Sequence, residues 1–451
     1  NVYVTTMGME GPGFSREAPE SLTPEEHARN LVRANLILSA NGLRHLFSCV
    51  TTLAGTPDVN VAAGTLEVDP LSDVGAWIHL DATRLDDYYV ADGADGKRLV
   101  SLWKDADGGL YSAKSMRESA APFLTTGAMG LPVMDFGKFK SGVVTDGWGA
   151  YMGFCQGSTA KTCSTIREIL VVAEDREEAA TLGKDYTNPG NAAPFVGGTR
   201  TGSTMFFRDA FTTTGAYPLL LNPWQPSTKG IWGYDNGISV DGVMKTPGAT
   251  AIRLGAGLHL VDFRMTADGG ATGLASDNTT SAYGGVRIGE VMVFEQELED
   301  SVRDRIVQTL MNKWLGTDPF VYACGAVAVA EGAVLAFPNA AVSVTSLTLA
   351  GTVKAEKVAP CALVVAGPTA AVVGTLDLST PGTLELDEAT FGDVASGTVV
   401  KVLSAANVIG DVKGWTAVGS LAERRRVRLS VQADGLYAKI SDPSGCLIFV
   451  R

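Results

Sequence analysis

The chain has 451 residues and a formal net charge of −13, and this length exceeds what one hydrophobic core usually supports, so two or three domains are expected. The negative charge would repel the phosphate backbone of nucleic acids, and the one basic run, residues 423–430, alternates like a strand with one charged face. We therefore predict no nucleic-acid partner. No apolar run approaches the roughly 18 to 20 residues that cross a bilayer, so no transmembrane segment is predicted.

The composition favours short strands joined by tight turns, because it includes 52 glycines together with many Ala, Val and Thr residues. The predicted class is mainly β. The sequence begins at Asn1 and not at a methionine, which a cleaved signal peptide or a larger precursor would explain. We expect an extracellular or cell-surface location. Zinc is not expected, since none of the six cysteines forms a CxxC pair.

Residues 1–73 form an N-terminal segment that combines a helix with short strands. The helix has Thr23 as its N-cap, Pro24 at the first helical position, Glu26 closing a capping box, and Asn41-Gly42 as its stop. Short strand-like pieces follow, among them "NVAAGTLEVD" at residues 60–69. The segment is predicted to dock through this helix.

Residues 74–316 alternate between many short strands and turns rich in Gly, Asp and Asn, a pattern that fits a two-sheet antiparallel sandwich. Near the end of this segment the spacing of apolar residues changes from that of a strand to that of a helix. Ile288 to Phe294 is an apolar run that suits a buried strand. The residues after it predict an amphipathic helix with a stop at Gly316, and its apolar stripe is Leu298, Val302, Ile306, Leu310 and Trp314.

Residues 317–451 alternate with period two and contain almost no aromatic residues before Trp415. This pattern predicts a C-terminal β-rich domain with a thin core, either a sandwich or a short solenoid. The strings "AGTL", "AGTV" and "PGTL" echo the "AAGTLEV" that precedes the sandwich. The echo suggests that the sandwich is inserted between, or flanked by, related β-segments.

Two cysteines bracket the polar loop "CQGSTAKTC", which runs from Cys155 to Cys163. A disulfide between them would close a hairpin if the protein is secreted. The alternative is two unpaired, half-buried thiols.

The order of several phrases between residues 74 and 316 resembles the LamG-like modules of the concanavalin A-like jelly-roll superfamily, which occur in bacterial surface and secreted proteins. In that family a strand carrying Gly-Glu runs through an acidic turn into a helix that ends in Lys-Trp-Gly or similar. Here the matching residues are Gly289-Glu290, Leu298 to Asp300, Lys313-Trp314 and Gly316. The preceding phrases are "HLDAT", "SLWKDADGG", "APFLTTGAMGLPVMDFG" and "IREILVVAE". The resemblance implies an antiparallel jelly roll and a role in adhesion, glycan contact or architecture.

The resemblance also implies a calcium ion, since such modules often hold one on loop oxygens. Asp92 and Asp95 in "ADGADGK", and Asp105 and Asp107 in "KDADGG", are the candidate ligands. Asp-Gly pairs are also the commonest turn formers in β proteins, so a purely structural role is the alternative.

Glycan contact in this family relies on exposed aromatic rings beside amides and carboxylates. The best candidates lie in the Pro- and Gly-rich stretch "NPWQPSTKGIWGYDNG". The alternative is that these rings cap one end of the sandwich core. The residues are Trp224, Trp232, Tyr234, Asp235 and Asn236.

Hydrolysis of glycans would require two carboxylates on one strand that reach the same sugar. The nearest string is "ELDE", in which Glu385 and Asp387 share a face while Glu388 does not, and it lies outside the sandwich. Four histidines are present, and each is interpreted as a packed or solvated residue and not as a catalytic base: His27, His45, His79 and His259. We therefore predict that the protein is not an enzyme.

The sequence thus predicts a non-catalytic extracellular or cell-surface protein with an adhesive or architectural role. A carbohydrate-binding lectin-like module is the alternative, and a glycan hydrolase is less favoured. The strands "NVYVTTM" and "CLIFVR" at the two termini look like edge strands, which predicts self-association into a filament or surface assembly. The alternative is that both termini pair within their own chain.

Overall fold

The structure is a computed structural model, and it divides the chain into two compact units, residues 1–72 with 319–451 and residues 73–318. The predicted N-terminal helix, with His27, and also His45 lie outside the described residues. The described residues are 48–51, 56, 58–72, 74–84, 88–92, 97–116, 121–137, 140–141, 150–175, 193–197, 206–208, 219–221, 238–245, 252–254, 256–275 and 282–443.

The fold is mainly β, as predicted. The strands before residue 73 are β1 (Ser48–Thr51), β2 (Val59–Val61) and β3 (Thr65–Val68). Residues 73–318 contain β4 (Ile78–Asp81), β5 (Tyr88–Asp92), β6 (Arg98–Lys104), β7 (Ser112–Ser115), β8 (Phe123–Thr126), β9 (Pro132–Asp135), β10 (Lys140–Ser141), β11 (Met152–Gln156), β12 (Thr159–Ala160), β13 (Cys163–Asp175), β14 (Ala193–Gly197), β15 (Phe206–Arg208), β16 (Leu219–Leu221), β17 (Ile238–Val240), β18 (Val243–Lys245), β19 (Ile252–Arg253), β20 (His259–Ala271), β21 (Gly273–Leu274), β22 (Ala282–Tyr283), β23 (Val286–Phe294) and helix α1 (Asp300–Leu315). The elements after residue 318 are β24 (Phe320–Val329), β25 (Val334–Leu349), β26 (Thr352–Val365), β27 (Ala371–Leu378), β28 (Thr383–Leu386), α2 (Glu388–Phe391), β29 (Thr398–Gly410), β30 (Thr416–Val418), α3 (Gly419–Arg424), β31 (Arg426–Gln432) and β32 (Gly435–Ser441). None of the helices in the described part of the chain has the length and apolar character needed to span a membrane.

Residues 73–318, here called the inserted unit, are consistent with a β-sandwich, and every strand pair described in them is antiparallel. The central strand β23 pairs with β13, β4 and β9. All of its residues are buried except the half-buried Arg287, because strands flank it on both sides and a helix covers it. The strand order is β15-β14-β21-β11-β7-β6-β8-β9-β23-β13-β20-β17-β18, with β12 on β11, β4 on β23 and β5 on β6.

The strand and helix predicted at the end of this unit are confirmed. Helix α1 has Ile306, Leu310 and Trp314 buried along one stripe. It ends at Gly316, whose φ of 69° places it in the left-handed region and whose N–H donates to the carbonyl oxygen of Asn312. A glycine adopts this conformation without steric cost, which explains the stop.

The discontinuous unit, residues 1–72 with 319–451, is built mainly from parallel strands, whereas antiparallel pairing was predicted only for residues 74–316. Phe320 pairs with Ala340, Val334 with Thr352, and Thr352 with Ala371. Each turn of the chain therefore stacks on the preceding turn, which is the arrangement of a short parallel solenoid. At its C-terminal end the sheet continues with the antiparallel pairs β29–β32 and β32–β31, so the sheet is mixed. We call this part the solenoid unit.

The described strands before residue 73 belong to the solenoid unit, because they pair with strands after residue 318. β2 pairs in parallel with β24, and β3 pairs in parallel with β25. Of the two arrangements that the repeated "AGT" strings suggest, insertion is therefore the one observed. The strings "AAGTL" and "AGTV" lie in the turns on either side of the one that contains Val334, since Thr65 and Thr352 are both in register with Val334.

The chain leaves the solenoid strands after Val68 and returns to them at Phe320. Thr65 to Glu67 pair with Val334 to Ala336, so Val68 falls opposite Phe337. Phe320 pairs with Ala340. In the turn that contains β25, only Pro338 and Asn339 separate Phe337 from Ala340. Residues 69–319 therefore stand where the next turn has a two-residue corner.

Apolar ladders fill the interior of the solenoid. Residues that occupy the same position in successive turns stack on one another, as Leu335, Val353 and Val372 do, and all three are buried. Their outward neighbours are polar or small, which produces the period-two alternation seen in the sequence. The interior of this unit is thus formed largely by stacked aliphatic side chains.

Two glycines separate the effect of backbone conformation from that of close packing. Gly332 has a φ of 73° with nothing within 4 Å of an added Cβ, whereas Gly374 has a φ of 130° and an added Cβ would lie 1.8 Å from the carbonyl oxygen of Ala355. We expect Gly332→Ala to cost about 1 to 2 kcal/mol of unfolding free energy and Gly374→Ala roughly 3 kcal/mol or more. Urea denaturation followed by circular dichroism measures both, and equal losses would contradict the close approach.

Candidate functional site

The densest group of buried charges lies where helix α1 covers strands β4 and β23. Glu290 of β23 is directly opposite Asp81 of β4, so two carboxylates face the helix side by side. A Cβ on Gly289 would lie 2.8 Å from the Trp314 ring. The glycine therefore allows the helix to approach the strand closely.

Glu290 is the centre of this group. Its Oε1 lies 2.7 Å from His79 Nε2, and its Oε2 accepts from Lys313 Nζ at 2.7 Å and Trp314 Nε1 at 2.6 Å. Burial would raise the pKa of Glu290, but the charge of Lys313 and the contacts with His79 outweigh it and lower that pKa to about 2. Glu290 is therefore an anion near neutral pH.

His79 lies between two carboxylates. Its Nδ1 is 3.1 Å from Asp107 Oδ1, on the side opposite Glu290. Burial lowers the pKa of His79, but the hydrogen bonds and charges of Asp107 and Glu290 outweigh burial and raise it to about 10. The imidazole is thus a cation at neutral pH and has no free lone pair with which to act as a base.

Lys313 completes the group by bridging the two facing carboxylates. Its Nζ donates to Asp81 Oδ2 at 2.6 Å as well as to Glu290. The backbone N–H and the hydroxyl of Thr83 both donate to Asp81 Oδ1, each at 2.8 Å. Although burial lowers the pKa of Lys313, the charges of Glu290 and Asp81 raise it overall. We call His79, Asp81, Asp107, Glu290 and Lys313 the α1 ion cluster.

A second buried ion pair fixes the start of helix α1. Arg303 Nε donates to Glu168 Oε1 at 2.6 Å and Arg303 Nη2 to Glu168 Oε2 at 3.0 Å, so the pair is bidentate. Glu168 also accepts from the backbone N–H of Leu298. Asp262 lies near this pair, and burial together with the charge of Glu168 raises the pKa of Asp262 to about 7, although Arg264 donates to it.

The predicted calcium ligands that the structure describes are used for other contacts. Asp105 accepts from the backbone N–H groups of His79, Asp107 and Gly109, and Asp107 contacts the His79 ring. Asp92 ends strand β5, and Asp95 lies outside the described residues. Among the residues that the structure describes, no group of three or more His, Cys, Asp or Glu side chains is arranged to hold a metal.

The disulfide predicted between Cys155 and Cys163 is not formed in the structure, where both are buried free thiols. In the β11–β12 hairpin the cross-strand partner of Cys155 is Ala160. Cys163 belongs to the next strand, β13, and its Sγ lies 3.7 Å from Glu295 Oε1. Burial raises the pKa of the Cys163 thiol to about 12. The alternative of two unpaired thiols is the arrangement observed.

The other candidate residues are not brought together with the α1 ion cluster. The predicted glycan-binding residues Trp224, Trp232, Tyr234, Asp235 and Asn236 all lie outside the described residues. In the "ELDE" string, Glu385 lies within strand β28, while Asp387 caps α2 by accepting from the N–H of Thr390 at 3.0 Å. His259 Nδ1 lies 2.7 Å from Asp241 Oδ2 at a half-exposed position.

Neither the α1 ion cluster nor the Arg303–Glu168 pair was predicted from the sequence. A signal was nevertheless present, because Glu290 interrupts a strand that is otherwise apolar, and a buried charge requires a partner of opposite sign. Arg303 and Lys313 are ten residues apart on α1. Which strand carboxylate each would meet depends on the tertiary packing, which local patterns do not specify.

Comparison of the chain with models of known protein families, with curated proteins and with solved structures gives no match.

Proposed function

We propose that this chain is a non-catalytic protein of the extracellular space or cell surface, with an adhesive or architectural role. Within it, the inserted unit is a concanavalin A-like jelly roll related to the LamG-like modules. The observation that supports this proposal is that the buried charged side chains bind one another and thereby hold the inserted unit together. Glu290 binds Lys313 and Trp314 of helix α1, and Glu168 binds Arg303, so buried strand carboxylates join the helix to the strands below it.

Catalysis by these groups would require contact with a substrate, since a general base must lie within hydrogen-bond reach of the proton it removes. The side chains of His79 and Glu290 are 4% and 0% exposed, and helix α1 covers them. His79 is held as a cation near neutral pH, so its ring has no free lone pair with which to accept a proton from a substrate. The cluster is therefore better suited to hold the unit together than to react with a substrate.

The solenoid unit supports an architectural role because stacked turns make an elongated, repetitive body. β1 and β31 stand at the two ends of its main strand order. Among the described residues, each of them pairs with one strand, β3 and β32 respectively. Exposed strand edges can pair with another chain, and a head-to-tail contact of this kind propagates into a filament. We propose self-association of the chain through the predicted terminal strands "NVYVTTM" and "CLIFVR", both of which lie outside the described residues.

Deletion of residues 1–20 tests the assembly. We expect the full chain to form oligomers that grow with concentration, and the shortened chain to remain a monomer because the predicted N-terminal strand "NVYVTTM" is missing. Light scattering across a concentration series measures both masses, and circular dichroism checks that the shortened chain is folded. If both chains are monomeric and equally stable, the terminal strands pair within their own chain and the assembly proposal fails.

Carbohydrate binding is the second candidate, and one aromatic pair favours it. Trp77 and Tyr111 are both half-buried and stack with their ring centroids 4.3 Å apart, next to the exposed Leu110. Exposed aromatic faces are the surfaces on which sugars stack. A glycan array probed with the full chain distinguishes the two candidates, since a lectin gives a discrete set of positive glycans that Tyr111→Ala weakens. Release of reducing sugar from any positive glycan would instead indicate the less favoured hydrolase.

A further inference from the structure

We propose that the side chains of Lys313 and Asp81 join in an intramolecular amide bond, with Glu290 as the proton acceptor. The structure shows the three side chains before reaction, as an ion pair and its neighbouring carboxylate. Such a bond would be a covalent modification of the chain by itself, without another enzyme or cofactor. The inference is independent of whether the protein assembles or binds glycans.

The amine and the carboxyl group are held together by rigid elements. Lys313 Nζ lies 2.6 Å from Asp81 Oδ2, and the two side chains are 8% and 7% exposed. Lys313 lies in the last turn of helix α1, and Asp81 ends strand β4. Because both elements are packed in the core of the inserted unit, the reacting atoms meet at high effective concentration and without an ordering cost at the moment of reaction.

The carboxyl group of Asp81 is arranged so that one oxygen is stabilised and the other can leave. The N–H and the hydroxyl of Thr83 both donate to Oδ1. Attack by the amine on Cγ would place negative charge on Oδ1, where these two donors already point, as in an oxyanion hole. Oδ2 makes its contact with Lys313, and it is the oxygen that departs.

Glu290 is placed to move the protons. Its Oε2 lies 2.7 Å from Lys313 Nζ, and its strand position is directly opposite Asp81. Glu290 takes a proton from the Lys313 ammonium, the Nζ–Cγ bond forms, and the Cγ–Oδ2 bond breaks. Two protons from Nζ leave with Oδ2 as water, one of them delivered by Glu290, which returns to its carboxylate form. An ammonium and a carboxylate thus become an amide and one water molecule, with no oxidant or reductant.

The charges of the cluster make the reaction slow, but the reaction has to occur only once in each molecule. The pKa of Lys313 is raised by Glu290 and Asp81, so the neutral amine is a minor species. Burial favours the reaction. The buried ion pair has lost the hydration that stabilises its charges, whereas the neutral amide product needs little hydration. Exclusion of water from the site also prevents hydrolysis of the product.

The bond would have a large mechanical consequence. It would join two positions that are 232 residues apart in sequence and would enclose almost all of the inserted unit. A covalent link that closes so long a loop reduces the conformational freedom of the unfolded chain. The inserted unit could then not extend fully under force or in denaturant.

Mass spectrometry of the denatured full chain tests the proposal directly. We expect a mass lower than that of the sequence by one water molecule. Trypsin should not cleave after Lys313, and the digest should contain one branched peptide that joins the segments around Asp81 and Lys313. Lys401, which pairs with Asp434 on the exposed surface of the same chain, provides the internal control, because trypsin should cleave after it normally.

Three variants assign the roles. Lys313→Arg and Asp81→Ala should restore the full mass, and Glu290→Gln should lower the reacted fraction at least tenfold in freshly folded protein. A wild-type chain of full mass that trypsin cleaves after Lys313 would overturn the proposal, whatever the variants do, and would leave the pair as an ion pair. A mass deficit that persists in Lys313→Arg would place the lost water elsewhere and would overturn it equally. A Glu290→Gln chain that reacts as fast as the wild type would remove Glu290 from the mechanism.

Discussion

Arg303→Ala should lower the free energy of unfolding of the inserted unit by about 3 to 5 kcal/mol. The reason is that Glu168 is fully buried and would lose its bidentate partner. Asp262, also fully buried, lies beside the same guanidinium and would add its repulsion of Glu168. Urea denaturation monitored by the fluorescence of the buried Trp103 and Trp314 reports on this unit.

Asp300→Ala is the matched control for this experiment. Asp300 also contacts Arg303, but its side chain is 94% exposed, so its removal should change stability by less than about 0.5 kcal/mol. Replacing Arg303 and Glu168 together by Met and Leu should recover much of the loss, because no unpaired buried charge remains. An Arg303→Ala chain as stable as the wild type would show that the pair contributes nothing, and a double variant less stable than Arg303→Ala would contradict the charge argument.

Trp314→Ala should cost about 3 to 5 kcal/mol of unfolding free energy in the same unit. The ring is 1% exposed and lies against Gly289, where no side chain can fill the space that it leaves. The substitution also removes the indole N–H that donates to the buried Glu290. Circular dichroism at increasing urea concentration measures the loss.

Leu110→Ala is the comparison for Trp314→Ala, because Leu110 is 72% exposed and its truncation should have almost no effect on stability. A Trp314→Ala chain that keeps its stability but loses binding to a glycan would mean that Trp314 belongs to a binding site. In that case the interpretation of α1 as a helix that is packed for stability would be wrong.

Much of the local structure could be predicted from the sequence because short-range rules determine it. The four-residue spacing of Ile306, Leu310 and Trp314 predicted helix α1, and Gly316 predicted its end. Period-two alternation likewise predicted the strands after residue 320. Alternation does not reveal the direction of the neighbouring strand, since parallel and antiparallel partners bury the same alternate residues. The parallel pairing of β24 to β27 was therefore not predicted.

The ion clusters were not predicted for a different reason. His79, Glu290 and Lys313 are separated by up to 234 residues in the sequence, and each of them has an ordinary interpretation in its own segment. Lys313 looks like a cation that favours a helix C-terminus, and Asp107 looks like a turn former. Their joint role depends on the contact between α1 and the strands below it, which only tertiary packing determines.

The inserted unit replaces a two-residue corner. This position limits which insertions the solenoid unit can accept. An insertion at Val68 leaves the ladders of the solenoid in register only if the chain leaves and returns at nearby points. Within the inserted unit, the first strand β4 pairs with the last strand β23. Any domain whose ends lie close together could be exchanged at this corner without disturbing the buried ladders. The solenoid unit could therefore keep its structure while another domain replaces residues 73–318.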